Sequence, residues 1–307
     1  MQRAVEKIRK KYGPYWQLYL FLLVPLIWLI IFKYIPMAGI QLAFRKYTIK
    51  GGIWNSAWVG WKNFERFFSS YQFERVMSNT LSLSLYGLIA GFPFPILLAL
   101  CLNTMVNQKL KKAVQMITYA PYFISTVVLV GMMLTIFNSR TGLYGHLYYQ
   151  ITGEFPNDFM SKAKYFQHIY VWSGIWQGVG WGAIIYISAL SGVDEQLHEA
   201  AMIDGASRFK RVLYIDLPHI LPTAAIMLIL NAGSIMSVGF QKVYLLQTSL
   251  NLKKSEIIST YVYKVGLTGT TDYSLSTTID LFNSVVNMAM LVLVNYASGK
   301  LSGNQLF

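Results

Sequence analysis

Six long apolar runs constrain the fold of this chain more than any other feature of its sequence. The runs lie at about 17–36, 80–102, 114–137, 167–190, 220–245 and 277–298. Each is long enough to cross a bilayer, because a membrane-spanning helix needs about 20 apolar residues. The sequence therefore predicts an all-α, polytopic integral membrane protein with six transmembrane helices.

The composition supports a membrane protein and excludes other classes. Only 13% of the 307 residues are charged, whereas a soluble domain carries about 25%. This excludes a disordered chain, a basic nucleic-acid-binding domain and most soluble enzymes. Most of the residues behind the net charge of +13 lie between the apolar runs, where they orient helices in the membrane. A single cysteine, Cys101, excludes a disulfide framework and a cysteine-based metal site within this chain.

Basic residues around the runs bear on orientation. Those before the first run resemble the start of a signal peptide, but the run is too long for one and no convincing cleavage site follows. We therefore interpret it as a retained first helix. Lys and Arg residues outside the runs divide evenly, twelve on each side. The short basic N-tail and the 103–113 loop carry more weight than the long 38–78 loop, which favours both termini inside the cell.

Two further features leave alternatives open. The long loops 38–78, 139–166 and 246–276 either contact an extracellular partner or connect helices passively. Helix breakers and small residues inside the runs either allow close packing or form a jointed transport path. The breakers are Pro25, Pro93, Pro95 and Pro121, and the small residues are Gly174, Gly178, Gly180 and Gly182.

Recognisable catalytic chemistry is absent from the sequence. No Gly-x-x-x-x-Gly-Lys-Ser/Thr run occurs, so the chain has no phosphate-binding loop of that kind. His198-Glu199 opens like a zinc-protease motif, but Met202 stands where the second histidine is needed. We therefore predict no catalytic residue, no metal site and no ATPase site.

Residues 199–218 carry the most specific pattern, EAAMIDGASRFKRVLYIDLP. Glu199 to Ile203 favours a helix, which Asp204-Gly205 ends, because glycine accepts the left-handed conformation at a helix end. A second helix follows from Ala206, and we expect Leu217-Pro218 to stop it before the next span. Glu199 either meets a basic residue of a partner or caps its own helix.

This segment resembles the EAA loop of binding-protein-dependent ABC importer permeases. The family pattern is Glu-Ala-Ala, three residues, Gly, nine residues and Ile-x-Leu-Pro. The chain matches it at Glu199, Ala200, Ala201, Gly205, Ile215, Leu217 and Pro218. Residues 119–125 (YAPYFIS) and the tail 303–307 (GNQLF) are similar to the polysaccharide and complex-oligosaccharide branch of the sugar permeases.

The resemblance implies a type I ABC importer permease fold in a multi-pass protein of the cytoplasmic membrane. The implied organisation is a cytoplasmic N-tail 1–16, a first transmembrane helix 17–36, an extracellular loop 37–79, a permease domain 76–297 and a cytoplasmic tail 298–307. It also implies ATPase-coupling residues. They are Glu199, Ala200, Ala201, Asp204, Gly205, Ala206, Phe209, Leu217 and Pro218.

Partners follow from the same resemblance. They are a second, paralogous permease, two ATPase subunits and an extracellular sugar-binding protein, which is a lipoprotein if the host has a single membrane. ATP and Mg are bound by the ATPase, and this chain needs no cofactor and no nucleic acid.

Polar and aromatic side chains within the runs are candidates for a sugar path. Sugars are bound by stacking aromatics and by side chains that donate and accept hydrogen bonds. The candidates are Tyr119, Tyr122, Trp176, Gln177, Asn231, Ser234, Ser237, Gln241 and Asn283. Each alternatively serves as a contact between helices or as an interfacial aromatic.

The sequence thus predicts an ABC importer permease for a sugar, most simply an oligosaccharide. Within this interpretation the alternative is another solute class, such as peptides or polyamines. A secondary transporter driven by H⁺ or Na⁺ should carry acids inside the membrane, and only Asp280 is a candidate. A membrane scaffold or membrane enzyme is the remaining alternative.

Overall fold

The computed structural model describes residues 15–268 and 271–302, with the backbone alone for residues 301 and 302. The basic N-terminal residues and the 303–307 segment of the sequence analysis lie outside these ranges. Most of the described residues are helical, as predicted. The elements are α1 Trp16–Phe44, β1 Arg45–Lys46, α2 Gly52–Asn55, β2 Ala57–Trp58, α3 Lys62–Phe68, α4 Tyr71–Gly91, α5 Pro93–Asn103, α6 Gln108–Phe123, α7 Thr126–Ile136, α8 Leu143–Thr152, α9 Ala163–Leu190, α10 Glu195–Ile203, α11 Arg208–Gly233, α12 Phe240–Leu246, α13 Leu252–Ser255, α14 Ile258–Tyr263 and α15 Tyr273–Ser302.

Four helical segments of the described chain are long and apolar enough to cross a membrane. They are α1, the joined α4–α5, α11 and α15. The pair α6 and α7 would make a fifth crossing, but it bends by 99°. Helix α9 has 28 residues, yet it is not among the segments that meet the hydropathy criterion. The predicted count of six is therefore not reached by length and apolarity alone.

The third predicted run, 114–137, is not one straight helix. The helix narrows to a 3₁₀ turn at Ala120–Phe123, which contains Pro121. Ile124 and Ser125 are then extended, and the Ser125 side chain accepts a hydrogen bond from the Val128 amide to begin α7. Proline lacks the amide hydrogen that a continuing helix would need, so the break falls beside it.

The fifth predicted run, 220–245, is also interrupted. Helix α11 ends at Gly233 and α12 begins only at Phe240. Asn287 on α15 supports the break, because its side chain accepts from the Met236 amide at 2.9 Å and donates to the Ser237 hydroxyl at 3.0 Å. Non-helical backbone at membrane depth is tolerated where such partners satisfy its polar groups.

The expected stop at Leu217-Pro218 is wrong. Helix α11 continues through Pro218, and its second turn, Val212–Asp216, is a π-helix. The wider π turn accommodates the carbonyl groups that would otherwise face a proline ring and a missing amide. The segment therefore joins the loop directly to the following span.

The chain divides into two units, of which the first comprises residues 1–67 and 265–281. Its β1–β2 ribbon is antiparallel, with Arg45 opposite Trp58. The Asn63 side chain donates to the carbonyls of Ala43 and Arg45, and the Thr278 hydroxyl also donates to Ala43. The region predicted as an extracellular loop at 37–79 thus holds ordered elements. In α1, by contrast, Trp16–Leu29 contains no buried residue.

The second unit comprises residues 68–264 and 282–307. One buried cluster gathers side chains of α4, α7, α9 and α12, including Leu83, Val130 and Val243. Another joins α5, α9 and α11 around Ala183 and Ile220. Helix α9 contributes to both clusters, so it is the central helix of this unit.

Candidate functional site

The 199–218 segment forms two helices around a left-handed glycine, as predicted. Gly205 has a φ of 73°. Its amide donates to the Met202 carbonyl at 3.1 Å, and the Ala206 amide donates to the Ala201 carbonyl at 2.8 Å. This pair of bonds is the Schellman arrangement, which satisfies the last carbonyls of a helix. The Ser207 side chain then caps α11 by accepting from the Lys210 amide at 3.3 Å.

The first helix of this loop begins earlier than expected. Helix α10 starts at Glu195, and the Asp194 side chain caps it by accepting from the Gln196 amide at 2.9 Å. Glu199 therefore lies within the helix, and the interpretation in which it caps its own helix is wrong. It lines a cavity of about 560 Å³ with Arg208 and Arg211, which we call the loop cavity.

A buried carboxylate ties this loop to the helices beside it. Asp216, which is 1% exposed, accepts from Asn103 of α5 at 3.4 Å and lies 3.1 Å from Nε2 of His198 on α10. Asp216 thus links α11, on which it lies, to α5 and to α10.

The remaining predicted coupling residues lie on this loop or within α11. Ile203 is 87% exposed and Phe209 is 75% exposed. Ala200 and Asp204 are exposed, Ala201 and Ala206 are half-buried, and Leu217 and Pro218 lie in α11. Ile203 and Phe209 thus leave apolar surface uncovered on this loop.

A second cavity, of about 590 Å³, lies in the second unit. We call it the large cavity. Side chains of α4, α5, α9 and α11 line it, together with the break before α12 and Lys242 of α12. Where α9 forms the cavity wall, Gly174, Gly178 and Gly182 line it, so these positions add no side chains to the wall. Gly180 instead permits close packing, since a Cβ there would meet the Thr118 carbonyl oxygen.

The structure brings together four of the predicted sugar-path residues. Gln177, Asn231, Ser234 and Ser237 all line the large cavity, and Gln177 also donates to the Ile124 carbonyl at 2.8 Å. The other five predicted residues are not among those that line it. Tyr122 stacks on Trp181, with ring centroids 4.5 Å apart. Trp176 and Gln241 are exposed, and Tyr119 and Asn283 are half-buried.

Sequence reasoning missed Lys242. This residue lies in the fifth apolar run, is 8% exposed and is the only charged residue among those that line the large cavity. A lone lysine within an apolar run was the available signal, because ionisable residues in a membrane segment are expensive and usually functional. As to metals, no group of three or more candidate ligands occurs in the described residues.

Comparisons with known proteins give consistent findings. Residues 91–297 match the family described as binding-protein-dependent transport system inner membrane component. The chain is 40% identical over 290 residues to Protein LplB of Bacillus subtilis (strain 168), covering 94% of this chain and 91% of LplB. It is 38% identical over 296 residues to the polygalacturonan/rhamnogalacturonan transport system permease protein YteP of the same organism, covering 96% and 90%.

Solved structures agree in fold and in sequence. A chain of a bacterial ABC transporter involved in the import of the acidic polysaccharide alginate matches with a TM-score of 0.88 and 36% identity, covering 96% of this chain and 99% of that one. A bacterial alginate ABC transporter in complex with alginate pentasaccharide-bound periplasmic protein matches with a TM-score of 0.88 and 35% identity, covering 98% and 100%.

Proposed function

Because the chain belongs to the family of binding-protein-dependent transport system inner membrane components, we propose that it is the permease subunit of an ATP-driven importer for an oligosaccharide. Its relative YteP is named for the transport of polygalacturonan and rhamnogalacturonan. A solved relative takes part in alginate import. The family and these named activities support the sugar class of substrate.

One structural observation carries the mechanism. Helix α11 runs without interruption from the capped turn at Ser207 to the wall of the large cavity at Asn231. Its 26 residues span about 39 Å at 1.5 Å per residue. The loop and the cavity wall are therefore joined by one continuous helix. Transport by rocking of helices around a central site needs this kind of connection.

The coupling role falls on the exposed surface of the loop. Glu199 to Gly205 would seat in a groove of an ATPase subunit, with Ile203 and Phe209 supplying apolar contact. Ala206, Leu217 and Pro218 would set the direction of α11 after the turn. The His198–Asp216 contact then holds the loop to the membrane helices while the ATPase moves.

Energy and partners come from other polypeptides in this proposal. The chain lacks a phosphate-binding loop, so ATP and Mg would be bound by two ATPase subunits. One loop per chain seats one ATPase, and a second, paralogous permease would seat the other. An extracellular binding protein would deliver the sugar, as a periplasmic protein accompanies the alginate transporter among the solved relatives.

We extend the proposal to six crossings with both termini inside. Helix α9 would be the crossing that the hydropathy criterion omits. Its 28 residues are long enough. Gln177 and three of its glycines, Gly174, Gly178 and Gly182, line the large cavity, where they lower the mean hydropathy without facing lipid. The bent α6–α7 pair would form the remaining crossing. The permease domain at 76–297 and the tails 1–16 and 298–307 keep their predicted roles.

The sugar path would follow the large cavity. Gln177, Asn231, Ser234 and Ser237 offer donors and acceptors for hydroxyl groups. Five aromatic or polar residues do not line this cavity. In this proposal they still contact the sugar, either at the ends of the path or at the interface with the second permease. They are Tyr119, Tyr122, Trp176, Gln241 and Asn283.

Reconstitution tests this function. Liposomes that contain this chain with the second permease and the ATPase pair should take up oligosaccharide when ATP and a sugar-loaded binding protein are present. Because the chain has no ATPase site of its own, the same chain alone should show neither ATP hydrolysis nor uptake. Uptake by the chain alone, driven by a proton or sodium gradient, would establish a secondary transporter instead.

A further inference from the structure

Lys242 is a buried cation that has no acidic partner among the described residues. It is 8% exposed, and no carboxylate of the described residues lies within ion-pair distance of its amine. No aspartate or glutamate is among the residues that line the large cavity. A buried charge is disfavoured unless it is paired, so a counter-charge supplied by a bound molecule would stabilise the charged form of this lysine.

Neighbouring groups hold the amine in place without neutralising it. Lys242 Nζ donates to the Tyr170 carbonyl at 3.0 Å and lies 5.0 Å from the centre of the Tyr170 ring. The Tyr170 hydroxyl accepts from the Gly239 amide at 3.1 Å, which fixes the tyrosine against the break before α12. An ammonium group has three donors, and only one of them has a partner among the described residues.

The wall beside the amine leaves it open to the cavity. A Cβ at Gly174 would lie 3.4 Å from Lys242 Nζ, so a larger side chain there would crowd the amine. Gln177, Asn231 and Ser237 line the same cavity and can bind hydroxyl groups. One cation among neutral hydrogen-bonding groups matches a sugar that carries a carboxylate.

We propose that Lys242 binds a carboxylate of the transported oligosaccharide, so that the permease selects chains of acidic sugars over neutral ones. The inference rests on the proposed import function and assigns its substrate class. A charge-assisted hydrogen bond of this kind is about twice as strong as a neutral one. The solved relative that takes part in import of an acidic polysaccharide is consistent with this choice.

A purely structural role would have a different signature. The bond from Lys242 to the Tyr170 carbonyl joins α12 to α9, and its loss could weaken folding or assembly. Such a loss would lower the uptake of every substrate alike. Selection by charge predicts instead that the acidic substrate alone is affected.

The test compares charged and neutral forms of one sugar. The complete transporter in liposomes is given galacturonate oligosaccharides of three to five units, or the same oligosaccharides after methyl esterification. Wild type should favour the acid form. Lys242→Met and Lys242→Gln should lower acid uptake at least about tenfold and leave ester uptake within about twofold. Lys242→Arg, which keeps the cation, should retain the preference for acid.

Controls separate the outcomes. The binding protein is the same in every assay, so its own preference cancels when variants are compared with wild type. Lys112→Met removes an equal charge from an exposed position on α6 and should change neither substrate. Copurification with the second permease reports assembly, and if Lys242→Met fails to assemble, Lys242→Gln is assayed, because it keeps a donor for the Tyr170 carbonyl.

Three results would overturn the inference. They are an equal fall for both substrates, no fall for either, or a wild type that takes up only the ester. Wild-type uptake of neutral oligosaccharides but of neither galacturonate form would also count against the inference, whereas uptake of no oligosaccharide at all would count against the proposed import function itself, so the two failures are distinguishable.

Discussion

At the scale of a single residue, Gly205 sets the angle between α10 and α11. Its φ of 73° costs a residue with a side chain about 1–2 kcal/mol. Nothing lies within 4 Å of a Cβ at this position. The need for glycine is therefore conformational and does not come from crowding.

We expect Gly205→Ala to lower sugar uptake about 5- to 30-fold, because 1–2 kcal/mol shifts an equilibrium by that factor. Gly205→Asn should lose less, since asparagine tolerates the left-handed conformation. Uptake and ATP hydrolysis by the reconstituted transporter would be measured side by side.

The matched control for Gly205 is Gly131→Ala. Gly131 lies in α7, has equally open surroundings and lacks a positive φ. This variant should transport like wild type. If Gly205→Ala also transports like wild type, the turn does not transmit the movement of the ATPase.

At the scale of the elements, the sequence predicted those features whose causes lie within a few residues of each other. The turn at Asp204-Gly205 was predicted because its causes lie within a few residues. The break at residues 234–239 was not, because its support comes from Asn287, which is 51 residues from Met236. Helix α9 shows the opposite case, since mean hydropathy understates a helix that places Gln177 and three glycines in the wall of a cavity.

The same limit applies to the large cavity. The spacing of Asn231, Ser234 and Ser237 predicted a shared face, and all three line the cavity. Lys242 was missed because periodicity treats one charge in an apolar run as tolerable. Its contact with Tyr170 joins segments 72 residues apart, which a reading of local sequence does not detect.

The crossings of these elements can be tested by labelling. In a Cys101→Ser background, single cysteines replace Ser69, Ser207 and Thr271, which are all exposed. Because the proposed orientation places 69 and 271 outside, an impermeant thiol reagent should label these two positions in sealed cells. It should label 207 only after the membrane is opened. Labelling of 207 from outside would contradict the inside location of the coupling loop.

At the scale of the whole molecule, the chain supplies only one part of an importer. Its second unit holds both the loop that we propose to seat an ATPase and the large cavity that we propose to hold the sugar, and α11 joins them. Helix α1 belongs to the first unit, and its first 14 residues have no buried side chain. This exposure is compatible with lipid or with a second permease around it.

The positive charge of Lys242 in the cavity wall has a consequence for ion leakage. A transport path that opens must not let cations flow through it and dissipate the membrane potential. A cation 4 Å from Lys242 would be repelled by about 4 kcal/mol at an effective dielectric constant of 20, as fixed positive groups exclude cations from other pores. Lys242→Met liposomes should therefore lose a potassium gradient faster than wild type during ATP turnover. Equal rates of gradient loss, measured with a voltage-sensitive dye, would show that another part of the assembly blocks the leakage of potassium.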